Sequence, residues 1–275
     1  MSRVDEHIAK TVLRGGALAL SVLALAGCAE EPESGAKPSG SASASATSGT
    51  GGTAGSGGGS ADAGEFGVSP LGNDDGTKPG LAPLTSDADK EAGLKVIEEV
   101  TTKSRGAGSG YDRKKFGYAW MDTADGVPLA GNGCDTRNDL LARDGKDLKY
   151  RSGSDCIIIS MNLNDPYTGK EIEWRKEAAA KVQIDHVIPL SYGWQMGASK
   201  WDEAKRKQLA NDPLNLVPVD GPTNGSKSDS GPESWLPPSE EIRCSYAVRF
   251  AQVALKYELP VTTADKTTMR EQCEA

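Results

Sequence analysis

The chain has 275 residues, with 31 basic and 39 acidic side chains, five cysteines and two histidines. So few histidines exclude the zinc peptidases and amidases that need several imidazole ligands, and the lack of any repeat of solenoid period excludes a stacked-repeat architecture. Charge is uneven: residues 29–100 hold 4 basic and 12 acidic side chains, whereas 101–275 hold 24 and 25, a near-neutral balance that neither opposes an anionic partner nor grips one strongly.

Arg3, Lys10 and Arg14 precede an apolar run from Ala17 to Ala26. This is the pattern of a secretory signal, and the run is too short to span a bilayer. Leu25-Ala26-Gly27-Cys28 resembles a bacterial lipobox. The resemblance implies removal of residues 1–27, acylation of Cys28 and a membrane anchor on the outer face of the cell; a plain signal peptide is the alternative. Residues 28–84 are rich in Gly, Ser and Ala, too poor in apolar groups to offset their ordering entropy, and read as a flexible tether.

Residues 85–275 suffice for one domain with its own core. Thr85-Ser86-Asp87 can cap a helix carrying Leu94, Ile97 and Val100. Residues 103–120 interleave Lys and Arg with Tyr111, Phe116, Tyr118 and Trp120. That pattern suits a nucleic-acid surface, or equally a solvated loop whose aromatics turn inward. A short helix is expected over Asp135–Asp144, a strand over Cys156–Met161, and a turn at Asp165–Gly169. IEW (172–174) and KVQIDHVIPL (181–190) supply further strands. Helices follow at Tyr192–Lys200 and Asp202–Asn211, then an extended piece at Leu214–Val219 and a brief helix at Pro222–Ser230. Glu240–Glu258 is amphipathic, with Ile242, Tyr246, Phe250, Val253 and Tyr257 on one stripe. Trp194, Trp201 and Trp235 read as packing residues. The fold class is α+β, a small strand cluster in a mostly helical domain.

After Cys28, four cysteines remain: Cys134, Cys156, Cys244 and Cys273. An even count in an exported chain points to disulfides, with three possible connectivities. Proximity in sequence favours Cys134 with Cys156 and Cys244 with Cys273. A zinc site is the competitor, but the spacing lacks CxxC.

His186 follows Asp185 in VQIDHVIPL, and NLVPVDGPTNGSKSD follows at 215–229. Together these strings resemble the ββα-metal core of the HNH nucleases. The wider chain, about residues 105–273, resembles the C-terminal domain of GmrSD-type restriction enzymes through CDTRNDLLARD, DPYTG, WQMGASKW, KRKQLANDPLNL, SWLPP and a final helix pair with two cysteines. The resemblance implies His186 as general base, Asp185 and Asn224 as ligands of one divalent cation, and Asn215 as a brace for the loop or the imidazole. Oxygen-only ligation implies Mg²⁺ or Mn²⁺ rather than Zn²⁺. Adjacent strand residues point to opposite faces, so a bent or bulged strand is expected to bring Asp185 and His186 together. Lys227 either touches phosphate or pairs with Asp229; Arg206 and Arg137 either touch phosphate or pair with buried carboxylates. The expected function is a surface-anchored endonuclease acting on nucleic acid, DNA above RNA. The alternatives are a lipoprotein that binds nucleic acid or a surface polymer without cutting it and, ranked last, a cell-wall hydrolase.

Overall fold

The computed structural model describes residues 66–275; the signal segment, Cys28 and the tether up to residue 65 lie outside them. Residues 66–84, expected in the tether, pack on the domain. Leu81 is wholly buried, Gln252 donates to the Pro70 carbonyl at 2.8 Å, and the Asp144 carboxylate accepts from the Gly80 N–H at 2.9 Å. The boundary expected at residue 85 therefore falls inside the folded part. This segment has neither a helical nor a strand period, so its few leucines carried no recognisable pattern. Among the described residues no helix is long and apolar enough to cross a membrane.

Helix α1 (Asp87–Glu99) begins where Ser86 Oγ accepts from the Asp89 N–H, satisfying one of the donors left free at a helix start. Helix α2 (Thr136–Asp144) is capped in the same way by Asp135, which accepts from the Asn138 N–H at 2.8 Å. Strands β1 (Lys146–Tyr150), β2 (Ile158–Asp165) and β3 (Lys170–Arg175) form an antiparallel sheet in that order. Asp165 closes the β2–β3 turn by accepting from the Tyr167 and Thr168 N–H groups. Strand β1 was not expected. Its sequence, KDLKY, is charged and mostly exposed, and its pairing with β2 is irregular.

Strand β4 (Val182–His186) is followed by α3 (Leu190–Met196), α4 (Glu203–Asn211), β5 (Leu216–Asp220) and α5 (Gly221–Lys227). β4 and β5 pair antiparallel in unbroken register, from Val182 opposite Asp220 to His186 opposite Leu216. Asp220 ends β5 and caps α5 at once, accepting from the Thr223 N–H and hydroxyl at 2.8 and 2.7 Å, and Pro222 suits the first turn. Position 221 requires glycine because a Cβ there would lie 2.0 Å from the Ala180 carbonyl oxygen. The result is two strands and a helix, with α3 and α4 inserted between the strands.

Helices α6 (Arg243–Lys256) and α7 (Thr263–Glu274) pack with α1. The expected stripe from Ile242 to Tyr257 is buried, although Ile242 belongs to a short 3₁₀ turn before α6. Cys134–Cys156 joins the start of α2 to the approach of β2, and Cys244–Cys273 joins α6 to α7. This is the sequence-adjacent pairing, and it leaves none of these four thiolates for zinc. The architecture is α+β, two small sheets held in a mostly helical frame.

Candidate active site

A cleft of about 370 Å³ opens at the end of β4. Asp185 and His186 line it from β4, Asn224 from α5, and Tyr111 and Arg113 from the segment before α2. The expected bend or bulge in the strand is absent, since the β4–β5 register is regular through His186. The strand ends at His186 instead, and the cleft wraps that end so that both faces border it.

Asp185 is only 4% exposed. Its Oδ2 accepts from the Tyr167 hydroxyl at 2.6 Å and its Oδ1 from Lys227 Nζ at 2.9 Å. Lys227 also donates to the His186 carbonyl at 2.8 Å and is 0% exposed. Both readings offered for Lys227 are thereby corrected: it is sealed beneath the cleft, while Asp229 accepts from Ser191 Oγ and lies by Arg105. The cause is helical spacing. Lys227 stands three residues after Asn224, on the same face of α5, and that face is turned towards β4. Burial pushes the Lys227 ammonium below its ordinary pKa, against the pull of Asp185. Burial and the neighbouring carboxylate hold the Tyr167 phenol protonated, as a donor must be.

His186 Nε2 lies 2.9 Å from the Ala210 carbonyl oxygen. A carbonyl only accepts, so Nε2 carries the proton and Nδ1 keeps the basic lone pair. The Trp120 indole stacks on the ring, with centroids 6.1 Å apart and planes at 13°. Burial first, and then the Arg113 charge, push the imidazole pKa down to about 4. We therefore expect the His186 ring resonances to titrate near pH 4 in an NMR series, against ~6.5 for an ordinary imidazole. A midpoint between 6 and 7 contradicts the burial argument. The folded state takes up this proton less readily than the unfolded chain. The contribution of His186 to stability is therefore complete above about pH 6.5 and fades as pH falls through about 4.

Asn215 is wholly buried. Its Oδ1 accepts from the Ile188 N–H at 2.8 Å, its Nδ2 donates to the Leu209 carbonyl at 3.1 Å, and its own carbonyl accepts from the Val187 N–H at 2.8 Å. It braces the loop that follows β4, whereas the imidazole is held by Ala210. Asn224 donates through Nδ2 to Gln183 Oε1 at 2.9 Å, which leaves its carbonyl oxygen available.

Two hard-oxygen donors thus border the cleft, the Asp185 carboxylate and the Asn224 carbonyl. Each Asp185 oxygen accepts one hydrogen bond and retains a second lone pair. Among the described residues no three His, Cys, Asp or Glu side chains converge as a metal cage. The donor set fits a sparsely held, water-retaining hard cation.

The remaining basic candidates lie elsewhere. Arg206 donates to the Lys115 and Trp201 carbonyls, and Arg137 to the Val182 carbonyl at 3.0 Å. Both readings offered for these two arginines give way to backbone anchoring outside the cleft. The 103–120 stretch divides: Phe116 is buried against Trp194, Tyr118 is 64% exposed, and Arg113 reaches the cleft. No local pattern distinguishes Arg113 from Lys114 and Lys115; only the fold does. Trp194 is buried, and Trp201 and Trp235 pack on the core.

The family described as GmrSD restriction endonucleases, C-terminal domain, matches residues 135–272. An "Uncharacterized secreted protein" of Arthroderma benhamiae is 36% identical over 176 residues, covering 63% of this chain and 79% of that protein. No solved structure gives a significant match.

Proposed function

Because the chain belongs to the family of GmrSD restriction endonuclease C-terminal domains, we propose that it is an exported HNH-type endonuclease that hydrolyses phosphodiester bonds in DNA. The observation that carries this reading is the meeting of Asp185, His186 and Asn224 in one cleft on the ββα unit, with His186 tied to Ala210 through Nε2.

The chemistry follows from those groups. A water in the cleft gives its proton to His186 Nδ1 as its oxygen bonds to phosphorus. The bond from phosphorus to the 3′ oxygen breaks, and that oxygen takes a proton from a second water, leaving 5′-phosphate and 3′-hydroxyl ends. The low pKa of the imidazole keeps it unprotonated, and hence able to act as a base, through neutral pH. Asp185 and Asn224 would hold Mg²⁺ or Mn²⁺, which supplies charge neutralisation at the phosphate and stabilises the leaving oxygen. Asn215 keeps the loop beside the base in place, and Lys227 and Tyr167 fix the Asp185 carboxylate.

Two disulfides and a secreted relative support export. Anchoring through Cys28 belongs to the same proposal and concerns residues outside those described. The test is one gel in which the protein meets plasmid, single-stranded DNA and RNA with Mg²⁺, Mn²⁺ or chelator. The expected result is metal-dependent nicking and linearisation of plasmid. Retention of DNA in chelator with no cutting in either metal favours the binding-only alternative.

A further inference from the structure

The segment before the family-matched region reaches the cleft through one cation. Arg113 begins a 3₁₀ turn (Arg113–Phe116) whose entry is fixed by the Asp112 carboxylate accepting from the Lys114 N–H at 2.9 Å. The two aromatics that flank it are anchored: Phe116 is buried, and both Phe116 and Tyr111 lie against Trp194, with ring centroids 6.4 and 6.2 Å away. Arg113 is therefore held at the cleft wall by packing on both sides. Its Nη1 is buried and has no hydrogen-bond partner, and among the described residues no carboxylate pairs with it within 4 Å. Neighbouring arginines are spent differently, Arg105 on Gln195 and the Asp229 carbonyl, and Arg206 on backbone carbonyls.

A buried guanidinium N–H without an acceptor is a costly group to keep. Its cost is offset when a ligand brings the acceptor. The two carboxylates that line the cleft have other partners, Asp185 in Lys227 and Tyr167 and Asp229 in Ser191 and Arg105, so the Arg113 charge is left to an incoming anion. We infer that Arg113 is the phosphate-binding residue of this site, donating to a non-bridging oxygen of the phosphodiester seated beside His186. The inference rests on the nuclease reading for the identity of the substrate, and on Arg113 alone for the phosphate contact. The binding cleft consequently extends beyond residues 135–272, because its anion grip comes from the segment that precedes them.

The experiment compares wild type with Arg113→Ala and Arg113→Lys. Binding of a fluorescein-labelled DNA duplex is followed by anisotropy in chelator over a range of salt, and KM and kcat are measured in Mg²⁺. Thermal melts establish that each variant is folded, and the lysine variant keeps the aliphatic stem if alanine does not fold. The expected result is a rise of about tenfold or more in Kd and KM for the alanine variant. Its slope of log affinity against log salt should be shallower by about one phosphate contact. Lysine, a point charge without the fork, should recover part of the loss. Unchanged Kd and salt slope in a folded variant overturn the inference, whatever the cleavage rate. If wild type neither binds nor cuts nucleic acid, the nuclease reading fails, and inorganic phosphate decides the remainder. Protection of the wild type against heat by phosphate, lost in Arg113→Ala, supports Arg113 as an anion ligand. No protection of the wild type overturns it.

Discussion

Replacing His186 with alanine is expected to slow plasmid cleavage in Mg²⁺ by about 10²–10⁴-fold, the usual contribution of a positioned general base. The fold should survive. The ring makes one hydrogen bond, to the Ala210 carbonyl, stacks on Trp120 and itself lines an open cleft. Water entering that cleft can take over the carbonyl, so the loss is confined to chemistry. Supercoiled-plasmid nicking measures the rate, and a thermal melt of the same preparation reports the fold. Cleavage at the wild-type rate by a folded variant removes His186 from the mechanism.

The second large effect concerns stability. Lys227→Met should destabilise the protein by about 3–5 kcal/mol, because it strands the Asp185 carboxylate without its buried cation. Asp185→Asn combined with Lys227→Met should recover most of that loss: both charges are gone, and the amide oxygen still accepts from the Tyr167 hydroxyl. Neither variant should cut DNA, since the first disturbs the proposed metal ligand and the second removes its charge. Urea unfolding followed by circular dichroism measures the difference. A Lys227→Met protein of wild-type stability with a raised KM would instead return Lys227 to the phosphate-contact role.

The two strands and the helix that carry the candidate site were readable in the sequence because their signals are local. The strand expected within 181–190, the extended piece expected at 214–219 and the brief helix expected from Pro222 each show in a short stretch of the chain. The amphipathic stripe on α6 was readable for the same reason. The side-chain partners were not, since they depend on distances across the fold. Lys227 lies two residues from Asp229 in the chain yet pairs with Asp185, which is 42 positions away. Arg137 and Arg206 found backbone carbonyls, which no sequence pattern marks. Arg113 sits among other basic residues that point to solvent, and only the packing of Tyr111 and Phe116 on Trp194 brings it to the cleft. The inclusion of residues 66–84 in the fold was hidden similarly, by a composition that continues the tether.

The two disulfides close segments of 22 and 29 residues. In the chain-entropy picture each adds about 3–4 kcal/mol by restricting the unfolded chain, together comparable to the whole net stability of many domains. In a reducing cytoplasm both crosslinks are absent and the balance tips towards the unfolded chain. His186, Asn224 and Arg113, far apart in sequence, are then not assembled. On the proposed reading, the thiol redox state of the compartment would then set what fraction of the chain holds these three residues together.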